Sequence, residues 1–195
     1  PPYRTISGGA GRSGDGSPAG MLSKNDGKIF QHNDVHISDY AAELYRVLKT
    51  SGHCYIMCNL LNLWSFHAEL TNVGFRVHNL CLWKKNNVVV SRTGGKNGEY
   101  IFFLGKGPFR DLRQSFKMIE ECPNVRDKTH PTEKPVALIR RYIEASSLCG
   151  DIVLDPFAGT GSTGIAAQDT GRDFIGYELD AGYYAAACQR LRILP

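Results

Sequence analysis

No run in the 195-residue sequence approaches the roughly 18 consecutive apolar residues that a membrane-spanning helix needs. Its first residues also lack the basic and apolar blocks of a secretory leader, so the reading is a cytoplasmic chain with no membrane partner. The six cysteines (Cys54, Cys58, Cys81, Cys122, Cys149 and Cys188) are scattered and form no Cys-x-x-Cys pair, which argues against a disulfide framework or a zinc site, and no metal is expected. Most of them fall inside apolar runs, where a thiol behaves as a small core hydrophobe. Extreme charge is missing too: a net charge of +4 permits a polyanionic partner without requiring one. At 42% hydrophobic residues the chain can bury a sizeable core, and a single domain over 1–195 is expected.

What is present begins with "PPYRTISGG". Pro1 and Pro2 lock φ and donate no backbone hydrogen bond, so they read as the exit from an element lying upstream. The Gly- and Ser-rich stretch 4–28 shows no hydrophobic period and reads as a mobile loop, either a linker or a lid beside a site. Helical spacing returns at Ile37, Tyr40, Ala41, Leu44 and Leu48, "HCYIMCN" at 53–59 reads as a buried strand, and a short helix is expected around Leu63 to Leu70. Two β-rich runs, "FRVHNLCLW" and "EYIFFLG", predict an antiparallel hairpin with "KKNNVVVSRTGGKNG" as a long loop. Further on come a helix after Pro135 with Gly150 as its stop, a strand "DIVLD", a helix, a strand "FIGYELD" and a last helix "GYYAAACQRL". Alternating strands and helices imply an α/β sheet covered on both faces.

"DPFAGTGSTG" at 155–164 follows a strand and precedes a helix, and Gly159, Gly161 and Gly164 satisfy Gly-x-Gly-x-x-Gly. Glycines allow a tight turn and close approach of a ligand, while the helix start offers N–H donors. Glu178 stands about 20 residues on at the end of the next strand, where a carboxylate can accept from both hydroxyls of a ribose. Together these features point to an adenosine-type cofactor. A dinucleotide would need a second mononucleotide half, and only 17 residues follow Glu178 (195 minus 178). S-adenosylmethionine needs one half only, and the antiparallel hairpin suits a methyltransferase sheet.

At this point the motifs resemble a known family. "PPY" at 1–3 is similar to the catalytic motif of amino-group DNA methyltransferases, "KTHPTEKP" at 128–135 to their tenth motif, and "DPFAGTGSTG" with "GYELD" to their first and second. Catalytic motif first and cofactor motif last is the permuted order of the β class. The resemblance implies a Rossmann-like, S-adenosylmethionine-dependent sheet with one antiparallel edge-region strand and helices on both faces, its N-terminal strands missing from this sequence. It implies that the carbonyl of Pro1 accepts an amino hydrogen of the target base, that Pro2 fixes the turn and that Tyr3 stacks on the extruded base.

The same resemblance implies that Asp155, Phe157, Gly159, Thr160, Gly161, Ser162 and Glu178 bind the cofactor, joined by Thr132 and Lys134 at its methionine end within a cofactor-binding part at 128–195. A cap by Thr132 beside a solvated lysine is the alternative for that pair. Trp83 and Lys84 are expected to border the base pocket, and Arg110 and Arg113 lie in 106–127, the place of a short target-recognition segment. DNA is the implied partner, with room for a restriction endonuclease or specificity subunit and for a homodimer. The expected reaction is methyl transfer to the N6 amino group of adenine; cytosine N4 and a truncated, inactive remnant that binds DNA or cofactor stay open as alternatives. Carbon-5 cytosine chemistry needs a Pro-Cys nucleophile, and this chain has Cys122 followed by Pro123, the reverse order.

Overall fold

A computed structural model describes residues 35–91, 94–125 and 133–193. These residues form two compact units, one of 35–80 with 88–108 and the other of 81–87 with 109–193. No helix among the described residues is long and apolar enough to cross a membrane.

In the first unit, helix α1 (Ile37–Val47) is followed by strand β1 (His53–Cys58), a single 3-10 turn at Leu60–Asn62 and helix α2 (Leu63–Asn72). Asp39 closes the start of α1 by accepting the His36 N–H at 2.8 Å. At its end Lys106 Nζ donates to the carbonyls of Tyr45 at 2.7 Å and Leu48 at 2.9 Å, a cation on the negative end of the helix. The apolar stripe of α1 buries Ile37 and Ala41 against Ile56 and Cys58 of β1, with Phe66 and Leu70 of α2 in the same core. Strand β3 (Gly94–Gly105) pairs antiparallel with β1, from His53 opposite Gly105 to Cys58 opposite Tyr100.

Strand β2 (Arg76–Ser91) lies on the other side of β3, and the connection between them is only 92–93. So short a link leaves only the antiparallel sense. The hairpin is therefore as predicted, but the described residues of the separator are strand, not loop. Asn86 through Ser91 continue β2 to its full 16 residues, and Gly94 to Gly98 begin β3. A run of β-branched residues at 88–90 favours extended backbone and outweighs the polar residues around it.

In the second unit, Leu82–Lys84 of β2 pair in parallel with β4 (Ile119–Glu121). Helix α3 (Val136–Ser146), strand β5 (Ile152–Asp155), helix α4 (Ser162–Asp169), strand β6 (Asp173–Gly176) and helix α5 (Ala181–Leu191) complete the alternation. β5 and β6 pair in parallel, Ile152 opposite Asp173 through Asp155 opposite Gly176, as a two-stranded sheet. One face, through Val153 and Phe174, packs on Ile143, Ala166 and Ala167. β6 ends at Gly176, so Glu178 sits in the following loop and not on the strand where the sequence put it.

All six cysteines are free thiols. Burial pushes the Cys58 thiol up to about 12 and the Cys81 thiol up to about 11, from 9.0. The unfolded chain therefore loses these protons first, and their contribution to stability, complete below pH 9.0, disappears as pH rises through the folded values. Denaturant melts should show lower stability at about pH 10.5 than at about pH 8, with a smaller drop in a Cys58→Ala, Cys81→Ala double variant. An equal drop in that variant would assign the loss to other groups.

Candidate active site

The turn between β5 and α4 is built by its first residue. Asp155 Oδ1 accepts the Phe157 N–H at 2.9 Å and Oδ2 accepts the Thr163 hydroxyl at 2.5 Å, so the carboxylate folds the loop back onto the helix start. Gly161 takes φ +81°, a left-handed conformation that an L side chain rarely adopts, and a Cβ there would meet Ala187 at 3.3 Å. Gly164 has a different reason. A Cβ would stand 2.8 Å from Phe174 and Leu191, so glycine is what lets α4 close on β6 and α5.

The loop after β6 is stitched to this turn. Tyr177 N–H donates to the Asp155 carbonyl at 3.0 Å, and Ala158 N–H donates to the Tyr177 carbonyl at 2.9 Å. Glu178 then accepts the Gly159 N–H on Oε2 at 2.8 Å and the Asp180 N–H on Oε1 at 2.9 Å. The two backbone bonds fix the carboxylate's plane and leave one further acceptor position on each oxygen, a spacing suited to a vicinal diol. Asp180 in turn caps α5 by accepting the Tyr183 N–H at 2.9 Å. Burial, with the Asp180 and Glu178 carboxylates behind it, holds the Tyr183 phenol above its ordinary range. Next to Glu178, Leu179 is 73% exposed and Tyr177 64%, an apolar surface beside an acid.

Two further observations favour a polar ligand at the turn. Ser162 Oγ is buried and has no hydrogen-bond partner among the described residues, and no side chain caps the first turn of α4. A buried hydroxyl without a partner costs about 1–3 kcal/mol, which a bound polar group would offset. The residues present thus fit an adenosine-bearing cofactor with a polar or anionic far end.

Several expected site residues have other work. Thr160 is 3% exposed and its hydroxyl oxygen accepts from Arg190 at 2.9 Å, so the side chain faces the protein. Trp83 is 1% exposed, donates from Nε1 to the Cys122 carbonyl at 2.7 Å, and has Lys85 4.7 Å and Lys134 5.6 Å from its ring centroid. It is a core residue, its ring covered by two ammonium groups. Lys84 pairs with Glu121 at 2.6 Å. Within 106–127, Lys106 caps α1, Arg110 Nη2 donates to the Ser146 carbonyl at the end of α3, the Arg113 N–H donates to the Ala145 carbonyl at 2.7 Å, and Phe116 meets Tyr142 edge-on. Much of that segment is a tether onto α3; among its expected DNA contacts, Arg113 keeps an exposed side chain. Pro1, Pro2, Tyr3, the 4–28 loop and Thr132 lie outside the described residues.

Sequence reasoning missed three participants: Thr163 as the partner of Asp155, Leu179 beside Glu178, and Arg190. Thr163 and Leu179 adjoin motif residues and could have been found from that adjacency. Arg190 is 30 residues from Thr160, and no local pattern marks it.

The family model described as DNA methylase matches residues 1–189. The chain belongs to that family. Its members are S-adenosylmethionine-dependent methyltransferases of amino groups in DNA, adenine N6 or cytosine N4. Among curated relatives, the type II methyltransferase M2.DpnII of Streptococcus pneumoniae is 28% identical over 98% of this chain and 80% of its own length. M.HinfI of Haemophilus influenzae is 29% identical over 84% of this chain and 52% of its own length, so this DNA methylase chain spans about half of that relative. The crystal structure of an M1.HpyAVI–SAM complex matches with TM-score 0.71 and 27% identity, over 80% of this chain and 82% of that one.

Proposed function

We propose that this chain transfers the methyl group of S-adenosylmethionine to the N6 amino group of adenine in DNA. The observation that carries the cofactor half is the bond from the Gly159 N–H to Glu178, which holds a carboxylate with open acceptor positions against the glycine turn. Glu178 accepts from the ribose hydroxyls, Leu179 offers its exposed side chain to the adenine ring, and Ser162 with the uncapped start of α4 takes the polar end. When bound, the cofactor supplies an electrophilic methyl on a sulfonium.

The exocyclic nitrogen of the base is a poor nucleophile because its lone pair is delocalised into the ring. The carbonyl of Pro1 accepts one of its hydrogens, which draws the nitrogen towards tetrahedral geometry and localises that pair. Pro2 holds this backbone with little entropy left to lose. Tyr3 stacks on the extruded base, contributing roughly 1–3 kcal/mol. The base nitrogen takes the methyl directly from the sulfonium, leaving S-adenosylhomocysteine, with the extra amino proton released to water and no covalent enzyme intermediate.

Adenine and cytosine are separated by digesting unmethylated genomic DNA after incubation with the protein and deuterium-labelled S-adenosylmethionine, then weighing the nucleosides. Labelled N6-methyldeoxyadenosine is expected. Labelled N4-methyldeoxycytidine would overturn the base assignment, and no label in any nucleoside would favour the inactive remnant.

A further inference from the structure

Arg190 lies in the last turn of α5, where an arginine ordinarily faces water or its own helix end. Here Nη1 stands 2.9 Å from Glu133 Oε1, 2.8 Å from the Thr160 carbonyl oxygen and 2.9 Å from Thr160 Oγ1. The partners are buried, the Glu133 side chain at 6% exposure and Thr160 at 3%, while the Arg190 side chain keeps 29%. The cation therefore bridges "KTHPTEKP" and the glycine turn, two of the three segments of this unit whose motifs bear on cofactor binding.

The peptide between Thr160 and Gly161 is held at both ends. Its carbonyl accepts from Arg190, and its N–H donates to the Ala158 carbonyl at 2.8 Å. One residue earlier, the Gly159 N–H goes to Glu178. Glycine leaves the backbone at Gly161 free to rotate, so the orientation of the Thr160–Gly161 peptide is set by its hydrogen bonds, and Arg190 supplies the one that reaches Glu133. The two N–H bonds of Nη1 are shared among the Glu133 and Thr160 oxygens, and the rigid guanidinium plane fixes their direction, which a flexible lysine ammonium does less well.

We propose that Arg190 is a positioning residue: with Glu133 it sets the Thr160–Gly161 peptide, and so the affinity of the turn for S-adenosylmethionine. This rests on the cofactor reading above. A merely structural ion pair would also be felt when broken, because Arg190→Met takes one cationic partner from the buried Glu133 carboxylate. Adding Glu133→Gln removes that charge but leaves the Thr160 carbonyl without the cation.

The test is calorimetric titration of S-adenosylmethionine into the full chain and its Arg190→Met, Arg190→Lys and Arg190→Met/Glu133→Gln variants, with a thermal melt of each. In the double variant the melting temperature should recover towards wild type while the dissociation constant stays about tenfold or more weaker, within the range of coupling between a positioning contact and a ligand site. Arg190→Lys should fall between. A double variant that melts like wild type and binds less than about fivefold weaker would overturn the role, well short of the expected loss. Should Arg190→Met fail to fold, Arg190→Lys and the double variant carry the comparison. If the wild-type chain itself binds no S-adenosylmethionine, the cofactor reading fails instead.

Discussion

Replacing Glu178 by alanine should weaken S-adenosylmethionine binding by about 10²-fold, with little effect on the rate of transfer once the cofactor is saturating. The size follows from the chemistry of the position. A carboxylate that accepts from two ribose hydroxyls makes charge-assisted bonds worth about 1.5–3 kcal/mol each, and 1.4 kcal/mol is a factor of ten. The same substitution frees the Gly159 and Asp180 N–H groups, so the turn loosens as the contact is lost. Glu178→Gln separates the two effects. The amide keeps one carbonyl oxygen, enough for one of the two backbone bonds, but presents a donor where the diol needs an acceptor. Affinity should therefore stay low in both variants while the melting temperature recovers in part in the glutamine form. Unchanged affinity in Glu178→Ala would show the ribose assignment to be wrong.

Tyr3→Ala should have the opposite signature. Methyl transfer under single-turnover conditions falls by about 10- to 10²-fold, the kinetic equivalent of one base-stacking contact. The dissociation constant for S-adenosylmethionine stays within about twofold, because the tyrosine acts on the base and not on the cofactor. Tyr3→Phe keeps the ring and should retain most of the rate. Equal losses of transfer and cofactor affinity in Tyr3→Ala would remove the stacking role, and a dead Tyr3→Phe would point to the hydroxyl instead.

The sequence made the second unit legible because its chemistry is local. Asp155, Gly161 and Gly164 each have a reason within the strand–turn–helix they occupy, and glycine at a positive φ or at a close helix contact leaves a mark in the motif itself. Glu178 was legible by its distance from the turn. What the sequence hid depends on long-range partners: Arg190 reaches Thr160 across 30 residues, and Lys106 becomes a cap only once β3 brings it to the end of α1. Basic residues in 106–127 looked like a nucleic-acid face because composition cannot distinguish an arginine facing a phosphate from one facing a helix carbonyl. Arg110 is of the second kind. Trp83 was ambiguous for the same reason: an aromatic at the end of an apolar run can line a pocket or fill a core, and burial to 1% decides for the core. The long hairpin was misjudged at Asn86 and Asn87, where polar side chains on an extended, solvent-facing strand imitate a loop.

The central claim is that the acid following the glycine turn holds the cofactor from which the methyl comes. A crystal structure of the full chain with S-adenosylhomocysteine, the product left after transfer, tests it most directly. Ribose hydroxyls within hydrogen-bonding distance of the Glu178 carboxylate, with the Ser162 hydroxyl engaged by the ligand or its bound water, are the predicted result. An adenosine moiety seated away from 155–180, with Glu178 bonded only to the Gly159 and Asp180 amides, would contradict it.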